Sequence, residues 1–448
     1  MKLKWSNYNI IYKCEDGQYT ILTNSLNRCV YKLKNEFVKK INAFINGKSL
    51  DVNMRKFVLE LYVDHLLVDE NLNEVELFAL TQEKEKYGSE FGNVYFIPSF
   101  DCDFRCTYCI LGKNVDSMCL PRMTDNDVVQ TAKWLCETAE SLNIKTLQIL
   151  LFGGEPLLSQ KENLLLMNEI NSVEKSFSVN YSLITNGFAL TPNLLEELID
   201  CNLSTIQITL DGTEKMHDRR RRYVDGTGTF KKIINNVLNV VKYNIKIIVR
   251  VNVDEENCSN IIELLEYMHS LGLNKRILLH IVPVDPSSYS SISGYSMGAL
   301  EMYHDIYRFA FEHGFNVQKW QRYCSISSKM NFSIDSYGDV YPCPNFVGDK
   351  DFKIADIYNG INKTYEKIQN MRLDDSCLHC NLVGLCNGGC LSMKHLDESS
   401  KCIFYQANYI IDKEYTLAKY ESSNLNTLRL GKMVVNNANI YNTEGLLH

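Results

Sequence analysis

Three features are missing from this 448-residue chain: a long apolar run, an apolar N-terminal signal and an excess of basic residues. No run approaches the roughly 18 consecutive apolar residues of a membrane span, so we expect no transmembrane helix. The first ten residues, MKLKWSNYNI, contain no apolar signal core, which predicts a cytoplasmic location. The formal net charge of −7 gives no support to a nucleic-acid partner.

Cysteine, by contrast, is plentiful, with 16 in the chain. Because cytoplasmic thiols stay reduced, a disulfide framework is the weaker interpretation. Two groups stand out by their spacing. The first is Cys102-x3-Cys106-x2-Cys109, and the second runs Cys324-x13-Gly338-x4-Cys343, then Cys377-x2-Cys380-x5-Cys386-x3-Cys390, and ends at Cys402. Thiolates packed this densely on short loops indicate a soft metal, above all iron–sulfur clusters.

The middle of the chain, residues 93–315, alternates between short apolar runs and helical segments. The runs are VYFIPS, LQILLF, YSLITN, TIQITL, IKIIVRVNV and RILLHIVPV. Runs that are apolar throughout favour strands covered on both faces, as in a parallel sheet. Six such units predict an α/β fold, a TIM-like (β/α)6 partial barrel with its chemistry at the C-terminal strand ends. A doubly wound open sheet would give the same pattern.

The flanking segments differ in composition from the barrel. Residues 1–80 predict a small α+β domain, with a hairpin in GQYTILTNSLNRCVYKL followed by two helices. Residues 81–92 are polar and are interpreted as a linker. Residues 316–420 form a cysteine-rich domain, and 421–448 form a tail rich in Asn and Ser.

The first cysteine group follows directly after the first predicted strand, so it lies on the first loop at the barrel mouth. Three thiolates can hold three irons of a four-iron cluster and leave the fourth without a protein ligand. An open coordination position is what a catalytic metal site needs. A structural zinc site is the alternative, but it normally needs a second Cys or His pair nearby, and none follows.

At this position, CxxxCxxC resembles the signature of the radical S-adenosylmethionine (radical SAM) superfamily, and the resemblance extends over about 93–300. It implies that Cys102, Cys106 and Cys109 hold a catalytic [4Fe–4S] cluster. The open iron would bind the amino and carboxylate groups of S-adenosylmethionine, and an electron would cleave it to a 5′-deoxyadenosyl radical. Tyr108, inside the signature, would lie beside the adenine.

Further strand ends carry motifs that agree with this resemblance. Gly153-Gly154-Glu155-Pro156 alone would be a plain strand-to-helix turn, but it matches the family's GGEP element, which holds the methionine amino group. The resemblance extends to Asn186 in TNG and to Thr209 and Asp211 in ITLDG, which is similar to the ribose-contacting SxDG. It also extends to Arg221 in HDxxR, near the cofactor carboxylate, and more weakly to Arg250 with Asn252. The last two residues could equally be satisfied core polar groups.

The second cysteine series resembles the SPASM extension of the same superfamily. Gly338, in DSYGDV, predicts a hairpin turn that brings the flanking cysteines together. The resemblance implies two auxiliary [4Fe–4S] clusters, three clusters in all. Auxiliary cluster I would be held by Cys324, Cys343 and Cys390, and auxiliary cluster II by Cys377, Cys380, Cys386 and Cys402.

Auxiliary cluster I has three evident ligands rather than four. One interpretation is an open iron that binds a substrate thiolate, the natural soft ligand. The other is a ligand from elsewhere in the chain, such as Cys258 or His313. The sequence leaves both alternatives open.

SPASM enzymes mostly modify side chains of ribosomally made peptides or proteins. Anaerobic sulfatase maturases, which form formylglycine, typically have Asp after the cysteine equivalent to Cys343, whereas this chain has Pro344. The other branch crosslinks peptides through thioether, carbon–carbon or ether bonds. Such maturases commonly carry a winged-helix leader-binding domain, which residues 1–80 resemble weakly; a packing domain without a ligand is the alternative.

The sequence therefore predicts a radical SAM peptide maturase of the sactipeptide or ranthipeptide type, with Cys thioether formation as its leading chemistry. Its partners would be a precursor peptide with a leader and an electron donor such as flavodoxin or ferredoxin. Carbon–carbon or ether crosslinking and sulfatase maturation are the alternatives. A non-catalytic iron–sulfur electron carrier is the rival from another class, and the cofactor motifs at three further strand ends count against it.

Overall fold

The computed structural model describes residues 2–112, 121–284, 296–319, 328–392, 405–420 and 428–432, together with Cys324, Ile326 and Cys402. Within these ranges no helix is both long enough and apolar enough to cross a membrane. Most of the predicted tail 421–448 lies outside the described residues, and only its segment Leu428–Lys432 is described, as a strand.

The elements of the described residues are named here by their bounds, with the strands numbered in chain order. The strands are β1 (Leu3–Trp5), β2 (Asn9–Lys13), β3 (Tyr19–Asn24), β4 (Cys29–Lys34), β5 (Leu67–Asp69), β6 (Phe91–Phe96), β7 (Phe104–Cys106), β8 (Thr146–Leu151), β9 (Ser178–Thr185), β10 (Leu203–Thr209), β11 (Arg221–Tyr223), β12 (Lys246–Val253), β13 (Leu278–Pro283), β14 (Asn316–Gln318), β15 (Asn331–Ile334), β16 (Asp339–Tyr341), β17 (Ala355–Asp356), β18 (Gly360–Ile361) and β19 (Leu428–Lys432). The α-helices are Asn35–Ile45, Val52–Val63, Glu74–Gly88, Asp125–Ser141, Gln160–Ser172, Pro192–Asp200, Glu214–Arg220, Phe230–Val240, Ile261–Ser270, Met297–Glu301, Tyr303–Glu312, Lys363–Gln369, Asp375–Leu378, Val383–Cys386 and Tyr405–Tyr420.

The large central sheet confirms the predicted α/β fold. All six predicted strands form, and they pair in parallel in the order β6-β8-β9-β10-β12-β13. A doubly wound sheet would reverse its strand order partway. Because this order never reverses and parallel crossovers are right-handed, the helices cover one face and the other face encloses an interior. The order therefore favours the partial barrel over the open sheet.

The sheet continues beyond the predicted barrel at both ends. On one side β14 pairs in parallel with β13. On the other side β15 pairs in parallel with β6 and turns back into β16. The β15–β16 turn is the hairpin predicted at Gly338, whose φ is +79°. A Cβ there would lie 2.7 Å from Ile357, so conformation and space both favour glycine.

The helix Asp125–Ser141 shows why the predicted helical segments form where they do. Thr124 accepts from the Asp127 amide and Asp127 accepts from the Thr124 amide, which completes the predicted capping box. Such a cap stabilises a helix by about 1 kcal/mol. The apolar stripe of this helix, from Val128 to Ala139, is buried against the sheet.

The N-terminal hairpin is confirmed as β3 and β4, which pair antiparallel. One face of its sheet packs on the helices Asn35–Ile45 and Val52–Val63. The opposite face packs on Leu382, Leu385 and Leu417 from the C-terminal region. The N-terminal unit is therefore joined to the C-terminal region through a shared apolar core.

The segment 81–92, predicted as a linker, is ordered secondary structure instead. Most of it belongs to the helix Glu74–Gly88, and β6 begins at Phe91. Asn73 caps this helix by accepting from the Glu76 amide, and the Phe78 ring lies 5.5 Å from the ring of Tyr8. This cap and this contact fix a stretch whose polar composition alone favoured a loop.

Candidate active site

A cavity of about 470 Å³ opens at the C-terminal ends of the barrel strands. Its walls include the three cysteines of the first group and the three predicted for auxiliary cluster I. The six are Cys102, Cys106, Cys109, Cys324, Cys343 and Cys390. Residues more than 200 positions apart thus share one chamber, which spacing along the sequence could not show.

The first cysteine loop is held on two sides. Its strand β7 pairs antiparallel with β11, so Cys106 lies opposite Arg221. Asp103 accepts a hydrogen bond of 2.7 Å from the side-chain amide of Asn186, at the end of the third barrel strand. Asn186 also accepts from the Phe188 amide. Its amide group therefore positions the loop.

The first three thiols lie within electrostatic range of one another. Burial raises the pKa of Cys106 to about 11, Arg221 opposes this shift, and the Cys109 thiol adds to it. Burial also raises the pKa of Cys102. Among the described residues, no three His, Cys, Asp or Glu side chains converge closely enough to share a single ion. Three neighbouring thiols suit a cluster whose irons are spaced apart.

The glycines of Gly153-Gly154-Glu155-Pro156 allow two stretches of backbone to meet. A Cβ on Gly153, whose φ is +133°, would lie 2.5 Å from the carbonyl oxygen of Ser99. A Cβ on Gly154 would overlap the carbonyls that follow Ser99. Both glycines also line the cavity, whereas Pro156 lies in the short helix behind it. The glycines are thus needed for packing against the cysteine loop.

Glu155 is 2% exposed and lines the cavity near this loop. Its carboxylate accepts from Thr185 Oγ1 at 2.5 Å, from the Asn186 amide at 2.7 Å and from the Leu157 amide at 3.0 Å. Burial raises its pKa to about 7, although these hydrogen bonds favour the charged form. Among the described residues that line the cavity, Glu155 is the only acid.

A hydrogen-bond network joins Tyr108 to three residues of the barrel. The Tyr108 hydroxyl donates to Asp211 and accepts from Arg221 Nη1 at 2.7 Å and Asn252 Nδ2 at 3.1 Å. Asp211 also accepts from the Asn252 amide at 2.9 Å. Asp211 is fully buried and is absent from the cavity wall. The predicted ribose contact therefore lies behind Tyr108 in this structure.

Arg220, which the sequence did not single out, packs against the Tyr108 ring of this network. Its fully buried guanidinium pairs with Asp254 at 2.8 Å and Glu256 at 3.0 Å. It also lies 4.9 Å from the centre of the Tyr108 ring. Of the four consecutive arginines, the HDxxR motif singled out Arg221 and gave no signal for Arg220. The β7–β11 pairing, which sets Arg221 at the cavity, separates them.

A row of polar side chains crosses the barrel interior. Thr209 pairs with Arg250, Arg250 with His280, and His280 with Gln318 on four successive strands. Arg250 donates to Asn252 at 2.8 Å. Burial, with a smaller effect of Arg250, lowers the pKa of His280 to about 3, so this imidazole is neutral near pH 7. His280, Gln207 and Tyr95 also line the cavity and were missed. The available signal was a polar side chain inside an apolar strand.

Neighbouring polar side chains contact two of the cysteines predicted for auxiliary cluster I. Asn387, in the left-handed conformation, donates to the Cys324 carbonyl at 2.7 Å. The Cys390 thiol lies 3.0 Å from the Ser392 hydroxyl. Cys258 and His313, the alternative fourth ligands, do not line the cavity. His313 instead stacks on Phe309 at 3.8 Å.

The cysteines predicted for auxiliary cluster II lie apart from the cavity wall. Cys377 and Cys380 are joined by a backbone turn that begins with the helix Asp375–Leu378. Burial raises the pKa of Cys386 to about 11, and the thiols of Cys380 and Cys402 raise it further. The Cys386 thiol therefore lies within electrostatic range of the other two.

Comparison with known proteins identifies one family and several relatives. Residues 96–268 match the Radical SAM superfamily. The chain is 26% identical over 333 residues to a cysteine-type anaerobic sulfatase-maturating enzyme of Clostridium novyi, covering 65% of this chain and 85% of the relative. It is 20% identical over 478 aligned positions to the radical SAM cyclopropyl synthase TigE of Paramaledivibacter caminithermalis, covering 94% and 98%.

Two kinds of solved structure share the fold. The anSMEcpe structure with bound AdoMet matches with a TM-score of 0.58 and 18% identity, over 74% of this chain and 97% of that chain. Streptococcus suis SuiB bound to precursor peptide SuiA matches with a TM-score of 0.50 and 15% identity, over 89% and 97%. At these identities the likeness is one of fold.

Proposed function

Residues 96–268 of this chain are a radical SAM domain, and on that premise we propose that the protein modifies a ribosomally made precursor peptide, with Cys thioether formation as the leading chemistry. Radical SAM proteins are enzymes that bind an iron–sulfur cluster and S-adenosylmethionine. The observation that carries the proposal is the shared cavity, in which Cys102 and Cys343 line the same chamber.

Residues of the barrel mouth would bind and orient the cofactor. Cys102, Cys106 and Cys109 would hold the catalytic cluster, and Glu155 would accept from the methionine amino group. Thr209, Arg221 and Arg250 would line the remainder of the pocket, where the guanidinium of Arg221 suits the cofactor carboxylate. When bound, the cluster supplies the electron that cleaves S-adenosylmethionine to a 5′-deoxyadenosyl radical.

The substrate side of the cavity carries no acid among its described residues. Pro344 and Asn345 follow Cys343 on this wall, where sulfatase maturases typically have Asp. The described residues of this wall therefore include no carboxylate that could act as the base in formylglycine formation. A cluster held by the thiolates of Cys324, Cys343 and Cys390 would be a soft site, and a soft site suits the binding of a substrate thiol. In thioether formation the peptide loses two hydrogens: the 5′-deoxyadenosyl radical would take one as an atom from carbon, and the thiol would lose the other as a proton while the auxiliary clusters accept the remaining electron.

Carbon–carbon bond formation is the second candidate. The likeness to a cyclopropyl synthase covers 94% of this chain, including the N-terminal and C-terminal regions that flank the radical SAM domain. A chemistry of that kind needs no substrate cysteine. The nature of the substrate residue therefore separates the two candidates.

Residues 1–80 would hold the leader of the precursor as an added strand. The β2–β4 sheet supplies strand edges, and strand addition binds extended peptides through main-chain hydrogen bonds. A soluble reductant protein such as flavodoxin or ferredoxin would supply electrons. Auxiliary cluster II would be held by the cysteines away from the cavity, Cys377, Cys380, Cys386 and Cys402.

Co-expression with a candidate precursor, encoded by a short Cys-bearing reading frame beside the gene, tests the proposal. Mass spectrometry should show a loss of two hydrogens per crosslink, and fragmentation should place the bond on a cysteine sulfur. A two-hydrogen loss between carbons with the cysteine still free to alkylate would select the second candidate. An unmodified peptide in the presence of active enzyme would contradict both for that precursor.

A further inference from the structure

One edge of the N-terminal sheet is covered by a strand from the other end of the chain. The strand β19 pairs antiparallel with β4, with Leu428 opposite Lys32 and Lys432 opposite Cys29. The register shifts between Arg429 and Gly431. The chain thus supplies a fourth strand to a sheet whose other strands all come from residues 9–34.

The two edges of the β2–β4 meander differ in character. On β2, buried and exposed residues alternate, and Ile11 is 57% exposed. On β4, the residues from Cys29 to Leu33 are all buried. Tyr31 and Leu33 pack in the helical core, whereas Val30 packs in the core on the opposite face. The side chains on both faces of β4 are already packed in apolar cores. An incoming strand can therefore pair with β4 mainly through main-chain hydrogen bonds.

The segment that carries β19 is anchored next to the same sheet. The helix Tyr405–Tyr420 packs on the sheet through Leu417, and Tyr12 donates to Asp412 at 2.6 Å. Seven residues separate this helix from β19. A connection of seven residues holds a tethered segment at an effective concentration in the millimolar range. Even a weak five-residue strand would therefore occupy the edge for most of the time.

We propose that the β4 edge is a binding site for an extended peptide strand running antiparallel to β4, and that Leu428–Lys432 is its built-in occupant, displaced when a precursor segment binds. This inference rests on the leader-binding role proposed above. Main-chain pairing requires little sequence identity, so the tail and a precursor segment can exchange at one edge. A tethered competitor at millimolar concentration weakens apparent binding of a free peptide roughly tenfold if its own dissociation constant is near 0.1 mM.

A labelled tail peptide tests the site without a known precursor. The probe is a fluorescein-labelled synthetic peptide of residues 424–436, NLNTLRLGKMVVN. The full-length variant R429P/L430P removes two backbone donors from β19 without shortening the chain. The matched control N436P/N437P carries the same change beyond the strand. Fluorescence anisotropy measures peptide affinity, and hydrogen exchange measures protection of the amides of residues 29–34.

The proposal predicts that R429P/L430P binds the probe about tenfold more tightly than the native chain or the matched control. Residues 29–34 should exchange faster in this variant and be protected again by the probe. A chain that ends at Tyr420 should behave in the same way. Equal affinity across all variants, or no binding to any of them, would overturn the proposal. Loss of folding in both altered chains would also overturn it, since β19 would then be a permanent strand. No precursor is used, so these results leave the proposed peptide modification to its own mass-spectrometric test.

Discussion

The hydroxyl of Tyr108 donates a hydrogen bond to the carboxylate of Asp211, which joins the first cysteine loop to the end of the fourth barrel strand. Arg221 and Asn252 donate to the same hydroxyl. Residues that the sequence assigned separately to the cofactor are therefore one connected unit. A substitution that removes the Tyr108 hydroxyl should therefore alter the position of all three partners.

Replacing Tyr108 by Phe keeps the ring beside Arg220 and removes the shared hydroxyl. A hydrogen bond to a charged group contributes about 1.5 kcal/mol. If that free energy holds the pocket in its binding conformation, its loss should weaken the affinity for S-adenosylmethionine roughly tenfold. Equilibrium dialysis with the reconstituted enzyme measures this affinity. The control Tyr223→Phe alters a ring that packs on Phe188 and should leave the affinity unchanged. Equal affinities for Y108F and the native enzyme would show that the network does not shape the pocket.

The buried carboxyl of Glu155 predicts a pH dependence of cofactor binding. Its pKa is raised by burial to about 7, so the carboxyl is largely protonated at pH 6 and largely ionised at pH 8. The N–H groups of the methionine amine donate to the ionised carboxylate, so affinity should rise with pH by roughly tenfold over this range. Glu155→Gln should bind more weakly and lose the dependence. A dependence that persists in E155Q would assign the titration to another group.

Cys343→Ala separates the two cysteine groups. If this residue holds auxiliary cluster I, iron content should fall by about four atoms per chain while cleavage of S-adenosylmethionine persists. Modification of the peptide should be lost. Cys258→Ala is the matched control and should preserve both iron content and activity. Iron loss in C258A would instead identify this residue as a ligand.

Deletion of residues 1–80 should destabilise the whole protein. The deletion would expose Leu382, Leu385 and Leu417, which pack on the N-terminal sheet. Each such side chain contributes about 1.5–3 kcal/mol when buried. Thermal unfolding should therefore begin at a clearly lower temperature than in the native chain. An unchanged unfolding temperature would show that the N-terminal unit is an independent domain.

The sequence predicted the strands of the barrel because they are apolar throughout, and it predicted the helix after Thr124 from its capping residues. It could not predict strand order, since periodicity carries no information about which strands are neighbours. It did not predict the helix that covers most of 81–92, whose Glu83 pairs with Arg372, far away in the chain.

In the candidate site, too, local sequence predicted some features, whereas others depend on tertiary contacts. Spacing found the cysteine groups, but the cavity that joins Cys102 to Cys343 depends on the pairing of β15 with β6. The burial of Asp211 behind Tyr108 likewise depends on how the cysteine loop folds back. Arg220 and His280 were missed because their roles arise only from residues far away in the chain.

The most direct test of the account is release of 5′-deoxyadenosine by the anaerobically reconstituted protein. Native enzyme incubated with S-adenosylmethionine and dithionite should form 5′-deoxyadenosine, measured by liquid chromatography with mass spectrometry. The variant in which Cys102, Cys106 and Cys109 are all Ala should form none, while retaining the iron of its other clusters. No 5′-deoxyadenosine from fully loaded native protein, or equal amounts from the triple variant, would contradict the assignment of these cysteines to a radical-generating site.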